Sequence, residues 1–448
     1  MATLLNPNVA YRRMPARPQA RQDNRFVYLA VALGYVMLLP QQLSLNAFGS
    51  VIPPYRFFLI PAFLFIMGSG LRGRWRMIWP DYLMVICVGW IWLALYNTTR
   101  SDDWITAAIA QTVDIGLAYF FARAAFKTLR DLRMFLLLMV PCLAIMAGFV
   151  VLEAILHRHI LQPFVGSLVG LGGYYPIDER MGLTRSRGPF PHPILAGIFF
   201  ASFLPLFWMS GLRGWPRKIG IAASLFAGFS VSSAAMLALS VSSILMIYNW
   251  LSERIVNLSW RMFFVGLSIL VFFLEFATDS GSFNLIMRYA SFNSLSSYNR
   301  VLIWRYGTEN VAKHPWFGVG YGYWERPLWM GSSIDHYWLI NAIQFGIIPP
   351  LMMALTTILA VLAVFRRVKL ANPVDKTAYI GLAIAVSVFA LGAVSVSLWL
   401  SVQVWFHMLI GLCVSLGYAD RLGSEAAPRP VRRPVRPSIP FAPDRSMR

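Results

Sequence analysis

Apolar blocks recur along this chain from residue 26 to residue 419, each close to the roughly 20 residues a helix needs to cross a hydrocarbon core. That recurrence leaves few folds open. In lipid every backbone N–H and C=O must find its partner within the protein, so such blocks become helices packed side by side. Of the 448 residues, 58% are apolar and only 13% charged, about half the charge of a soluble domain. The expected fold class is an all-α integral membrane protein.

Length and flanks place about twelve transmembrane helices, at 26–45, 51–70, 81–97, 104–125, 134–156, 191–212, 219–231, 234–251, 260–277, 336–362, 377–397 and 400–419. The stretch 219–251 is read as two spans because Ser230, Ser232 and Ser233 suit a polar turn. Two spans there also put every cation-rich connector on one side: Arg72/Arg74/Arg76, Lys127/Arg130/Arg133, Arg213/Arg217/Lys218, Arg254/Arg261 and Arg366/Arg367/Lys369/Lys376. The net charge of +20 therefore reports topology, with both termini cytoplasmic, and gives no nucleic-acid-binding patch. The first block follows Arg12, Arg13, Arg17, Arg21 and Arg25 and lacks a small-x-small cleavage site, so it reads as an anchor. Cys87, Cys142 and Cys413 lie inside apolar blocks with no metal or disulfide spacing.

The expected organisation is a basic cytoplasmic tail (1–25), helices 1–9 (26–277) with an outer loop at 157–190, a large outer loop (278–335) between helices 9 and 10, helices 10–12 (336–419), and a Pro/Arg-rich tail (420–448). The last cannot bury a core and is expected to be disordered and cytoplasmic. The two long outer loops are where function is expected. Although their side should be poor in cations, they hold Arg158, Arg180, Arg185, Arg187, Arg288, Arg300, Arg305, Lys313 and Arg326. An anionic ligand accounts for that exception; solvated arginines on a translocated loop would also do so.

Two stretches carry chemistry. In Arg185-Ser-Arg-Gly-Pro-Phe-Pro-His-Pro-Ile-Leu-Ala-Gly197 a basic turn runs into an apolar helix whose free N–H groups would reinforce Arg185 and Arg187 as a phosphate site. In the second, Ser297-Tyr-Asn-Arg300-Val-Leu-Ile-Trp304-Arg305 predicts a short helix over 298–312 with Arg300 and Trp304 on one face. His314-Pro-Trp-Phe-Gly318-Val-Gly320-Tyr-Gly322 then ends it, with glycines that let backbone approach a ligand or another helix. Asp335-His336-Tyr-Trp opens the tenth span at the membrane surface.

Arg-x-x-x-Trp at 300/304, His-Pro-x-x-Gly-x-Gly at 314–320, His336, and Arg-Gly-Pro-Phe-x-His-Pro at 187–193, in that topology, together resemble the O-antigen ligase and O-antigen (exopolysaccharide) polymerase superfamily. One departure is Ser232-Ser233-Ala234-Ala235, where the family often has an arginine. The resemblance implies metal- and cofactor-free glycosyl transfer at the periplasmic face of a bacterial inner membrane. The donor would be a polyprenyl-pyrophosphate-linked glycan and the acceptor a glycan or lipid A-core. Membrane lipids and other polysaccharide-assembly proteins are the further partners.

On that basis Arg187, Arg300 and His336 are the expected catalytic residues, the arginines stabilising phosphate charge and the histidine acting as base or phosphate ligand. Arg185, Arg288, Trp304 and His314 are expected at the substrate, although His314 before Pro315 is better suited to packing the loop. Trp304, Trp316, Trp324, Trp329 and Trp338 could stack on sugars or sit at the interface. Asp114 and Arg56, inside spans, are expected to pair or line a cavity. A polymerase is favoured by Gly-Pro-Phe-x-His-Pro at 188–193, with a ligase as alternative. A flippase or secondary transporter is the reading of another class, and the long motif-bearing loop counts against it. Val319-Gly-Tyr-Gly322 mimics a potassium filter, yet it follows His314-Pro315 in a long loop.

Overall fold

The computed structural model describes residues 24–47, 50–70, 76–99, 103–171, 175–277 and 294–422. The basic tail before residue 24, the tail after residue 422 and Arg288 lie outside the described residues. The first helices are α1 (Arg25–Met37), α2 (Pro54–Gly70), α3 (Trp79–Thr98), α4 (Asp103–Ala125) and α5 (Leu129–Ile155). After α6 (Leu161–Leu168) and α7 (Pro193–Met209), α8 (Trp215–Leu225) continues into a 3-10 stretch, Phe226–Ser230, and turns into α9 (Ser233–Ser252). Then follow α10 (Trp260–Ala277), α11 (Ser294–Lys313), α12 (Tyr337–Phe345), α13 (Ile348–Val368), α14 (Pro373–Gly392), α15 (Ser401–Gly417) and α16 (Ala419–Leu422). Two short hairpins, β1–β2 (Leu45–Ala47, Ser50–Ile52) and β3–β4 (Glu179–Arg180, Leu183–Thr184), sit between helices.

Among the described residues six helices, α3, α4, α5, α9, α13 and α14, are long and apolar enough to cross a membrane, and α1, α7, α15 and Pro54–Gly68 are shorter apolar helices. The chain is a mostly helical, multi-pass membrane protein. A helix apolar all round belongs in the middle of a bundle, and α15 does: its residues from Ser401 to Leu416 are all buried. Trp405 anchors it, stacked on Phe203 of α7 at 4.8 Å and donating through Nε1 to Ser202 Oγ at 2.9 Å. Gly411 lets α15 close on α4, since a Cβ there would lie 2.2 Å from the Tyr119 carbonyl oxygen.

Charge inside the bundle is paired. Residues Thr112–Leu117 of α4 form a π-helical stretch, a local widening often found at functional positions. It carries Asp114, whose Oδ1 and Oδ2 accept from Arg56 Nε (3.0 Å) and Nη2 (2.7 Å), with Tyr55 OH donating to Oδ2 at 3.2 Å. The two intramembrane charges flagged by sequence are thus one bidentate pair. Arg123 and Asp81, 2.6 Å apart and joined by Tyr119 OH at 2.8 Å, do the same near the other end of α4.

The tenth block differs from the expected single helix over 336–362. The helix stops at Phe345, Gly346 takes φ +80°, and a new helix starts at Ile348 with Pro349 and Pro350 in its first turn. Prolines suit that turn because its N–H groups have no helical partner. The break would orphan the carbonyls of Ile343 and Gln344. The glycine-rich turn after α11 takes them up: Val319 N–H donates to Ile343 O (2.8 Å), Gly320 N–H to Gln344 O (2.9 Å), and Ile347 N–H returns a bond to Pro315 O (2.9 Å). Gly318 and Gly320 have φ +64° and +63°, open to glycine at little cost.

A Cβ on Gly318 would lie 2.3 Å from Ile343 O, whereas one on Gly331 meets nothing within 4 Å. Gly318→Ala should therefore lower stability by roughly 1–3 kcal/mol, and Gly331→Ala should leave it unchanged, in thermal unfolding of the detergent-purified protein. Equal melting temperatures would show that the turn does not hold the broken helix.

Candidate functional site

The site begins with a carboxylate that no motif flagged. Glu153, fully buried in the last turn of α5, accepts four backbone hydrogen bonds. Its Oε1 takes the N–H of Ile160 (3.1 Å) and Leu161 (3.2 Å); its Oε2 takes those of Gly188 (3.0 Å) and Arg187 (3.2 Å). His159 Nδ1 lies 3.6 Å from Oε2. One side chain thereby closes both ends of the 157–190 loop. The loop also rests on the α8–α9 turn, where Ser186 Oγ donates to Phe229 O at 2.9 Å.

Within that loop, β3 and β4 are joined by Met181 and Gly182, both at positive φ (53° and 73°), the geometry of a tight two-residue hairpin. The hairpin brings Arg180 and Arg185 together. Arg185 is anchored to Asp178 through Nη1 to Oδ2 (2.5 Å) and through its backbone N–H to Asp178 O (2.8 Å). Arg187 points back: its Nη2 meets His159 Nε2 at 2.7 Å and donates to Pro176 O at 3.0 Å. The Nε atoms of Arg185 and Arg187 are buried without a hydrogen-bond partner.

The second loop delivers Arg300. It sits on α11, only 3% exposed, with its Nε likewise buried and unpartnered. Burial is the largest force disfavouring its charge; the neighbouring Arg180 and Arg185 add to this, and Asp335 opposes it. Burial also lowers the pKa of Arg187, with Glu153 and Tyr175 opposing, and that of Arg180, where the Arg185 charge adds to it. Cations from two loops, crowded out of water with few acids among them, form a place where an anion relieves both desolvation and repulsion.

At its edge, His192 caps α7, its Nδ1 accepting from Ile194 N–H at 3.2 Å. That bond leaves Nε2 to carry the proton of a neutral ring. Arg185, Arg187, Asp178 and Asp335 all act on it electrostatically, and Trp399 lies 6.2 Å away ring to ring. The positive end of a 17-residue helix therefore faces the same place as the arginines.

His336 is nearly fully buried before α12. Its Nε2 faces Arg300 O at 3.3 Å and its Nδ1 faces Val394 O. Both ring nitrogens are thus turned to backbone, and a neutral imidazole can donate to only one of the two carbonyls. Trp304 packs beside it at 5.8 Å between rings.

The structure thus gathers Arg185, Arg187, Arg300, Trp304 and His336 at one end of the bundle. His314 lies just past the C-terminal end of α11, fourteen residues from Arg300 and about 20 Å away along the helix, and is exposed. Of the tryptophans, Trp324 packs in a small core with Ile303 and Ile334, Trp338 donates to Ala390 O at 3.1 Å, and Trp316 and Trp329 are exposed. Sequence reasoning did not assign roles to Glu153, Asp178, His159 or His192. The available signal for Glu153 was an acid in the last turn of an apolar helix, and for His192 its place before Pro193 in the basic stretch. Among the described residues no group of three or more His, Cys, Asp or Glu is placed to hold a metal ion.

Residues 218–345 match the family model described as O-antigen ligase. That segment runs from α8 through α11 into α12 and includes Arg300 and His336. No curated protein matches the chain.

Glu153→Ala would orphan four backbone donors, on the order of 1–3 kcal/mol for each one left buried. The expected outcome is a lower melting temperature and faster proteolysis within 157–190. Unchanged cleavage of that loop would mean that Glu153 does not organise it.

Proposed function

We propose that this protein is a glycosyltransferase that joins polyprenyl-pyrophosphate-linked oligosaccharide repeats into exopolysaccharide or O-antigen at the periplasmic side of the inner membrane. The convergence of Arg180, Arg185 and Arg300 from two loops, with Arg300 buried and its Nε unpartnered and Arg187 two residues from Arg185 in the first loop, carries the proposal. A departing lipid pyrophosphate develops charge on its oxygens, and fixed guanidinium groups in a poorly hydrated place stabilise it without reorganising. The Gly-Pro-Phe-x-His-Pro stretch supports polymerisation. The description of the matching family supports the second reading, a ligase that moves the glycan to lipid A-core. Deleting the protein separates them: a polymerase takes away long polysaccharide altogether, a ligase only the lipid A-attached form.

The twelve-span arrangement, with 278–335 periplasmic and both termini cytoplasmic, belongs to the same proposal and is supported by the cation-rich connectors. Reporter fusions near Arg254 and Arg367 should read as cytoplasmic and one beside Arg300 as periplasmic. A periplasmic signal at Arg367 would defeat it.

Arg187 and Arg300 act on the donor pyrophosphate in this mechanism. His336, with both nitrogens turned to carbonyls, holds Arg300 in place, and Asp335 is the carboxylate placed to take the acceptor proton. Because lysine keeps charge but lacks the planar fork, Arg187→Lys and Arg300→Lys should fail to restore turnover at normal protein levels. Asp335→Asn should cost about 10²–10⁴ in turnover while donor binding persists, and His336→Ala should weaken binding as well. Full turnover in both lysine variants would remove the arginines from the chemistry.

A further inference from the structure

At the opposite end of the bundle from these loops the end of α7, its connector to α8, the start of α8, the end of α9 and the start of α14 line an open cavity of about 590 Å³, within the ~300–1,000 Å³ usual for ligand sites. Its lining combines apolar Met209, Met246 and Val374 with charged Arg213, Arg217, Lys376 and Glu253. Lys376 Nζ is 3.8 Å from Glu253 Oε1, which leaves Arg213 and Arg217 as uncompensated charge on the wall.

Arg217 is held in place before any ligand arrives. Its guanidinium lies 5.5 Å from the Trp208 ring centroid, its Nη2 donates to Trp208 O at 3.0 Å, and its Nε is buried without a partner. Across the cavity Arg254 stacks on Trp250 at 3.9 Å. Both tryptophans are about half exposed, 50% and 52%, as befits side chains at a membrane–water boundary. The positive-inside pattern explains why cations are at this end. It does not explain a cavity among them that is lined by apolar, cationic and aromatic side chains together. An amphiphile whose head is an anionic phosphate meets all three.

We propose that this cavity binds the phosphate headgroup of an anionic glycerophospholipid, with Arg213 and Arg217 on the phosphate and the glycerol backbone against Met209, Met246 and Val374. Assigning it to the cytoplasmic leaflet rests on the orientation proposed above; the binding chemistry does not. A phosphate free in solution shares the charge but has nothing to place against the apolar lining residues.

The test uses the purified full-length protein in neutral detergent, titrated with phosphatidylglycerol, with phosphatidylcholine of the same chains and with inorganic phosphate, reading bound lipid by native mass spectrometry and melting temperature. Phosphatidylglycerol should bind about tenfold more tightly than phosphatidylcholine. The Arg213→Gln/Arg217→Gln variant should lose that preference, and Arg130→Gln, an exposed cation at the same end outside the cavity, should keep it. Should the double variant not fold, Arg213→Gln alone, at an exposed position, should lose part of it. Equal affinity for the two lipids, or a preference that survives in the arginine variants, would overturn the proposal. Displacement of phosphatidylglycerol by an equal concentration of inorganic phosphate would overturn it in favour of a soluble anion. Because neither readout depends on glycan transfer, failure here leaves the transferase proposal standing, and the converse holds.

Discussion

Where α12 breaks at Gly346, the carbonyls of Ile343 and Gln344 lose the donors a continuous helix would supply, in a setting where unsatisfied backbone is expensive. The N–H groups of Val319 and Gly320 replace them. That exchange ties the turn after α11 to the bundle, and with it the orientation of α11. Trp90 Nε1, donating to Trp316 O at 2.8 Å, fastens the same turn to α3. Arg300 at one end of α11 and His336 at the start of α12 can meet because the turn at the other end is fixed twice over.

The first loop obeys the same need in a different currency. Glu153 is an acid buried at the end of an apolar helix, a costly placement unless its oxygens are fully used. Four backbone N–H groups from both ends of the 157–190 loop use them. The loop is then held closely enough to keep Arg185 and Arg187 where their Nε atoms stay out of water. Burying more cations than the neighbouring Asp178 and Glu153 balance costs stability, and such strained electrostatics mark functional places more often than structural ones.

The polar groups inside the bundle behave differently. Arg56 with Asp114 and Arg123 with Asp81 are closed pairs, each reinforced by a tyrosine hydroxyl, so neither leaves a charge seeking a partner. Gln111 extends the first of these settings outward: its Nε2 donates to Tyr321 OH at 2.9 Å and its Oε1 accepts from Gln403 Nε2 at 3.0 Å. This chain of bonds gives Tyr321 of the glycine-rich turn a polar footing on α4 and α15.

The amino-acid sequence by itself determined the helical membrane class and most helix positions, because the lack of water in hydrocarbon makes apolar length almost sufficient to specify a helix. It also singled out Arg187, Arg300 and His336, since their motifs are contiguous. It did not reveal the break in the tenth block: Gly346 and the two prolines are compatible with a kinked helix, and only the donors arriving from residues 319 and 320 make a full break affordable. Nor could it show that His336 faces two carbonyls or that Glu153 joins residues 160 and 188. Those outcomes depend on which backbone groups, distant in sequence, come within about 3 Å of one another, and packing of the whole bundle alone decides that.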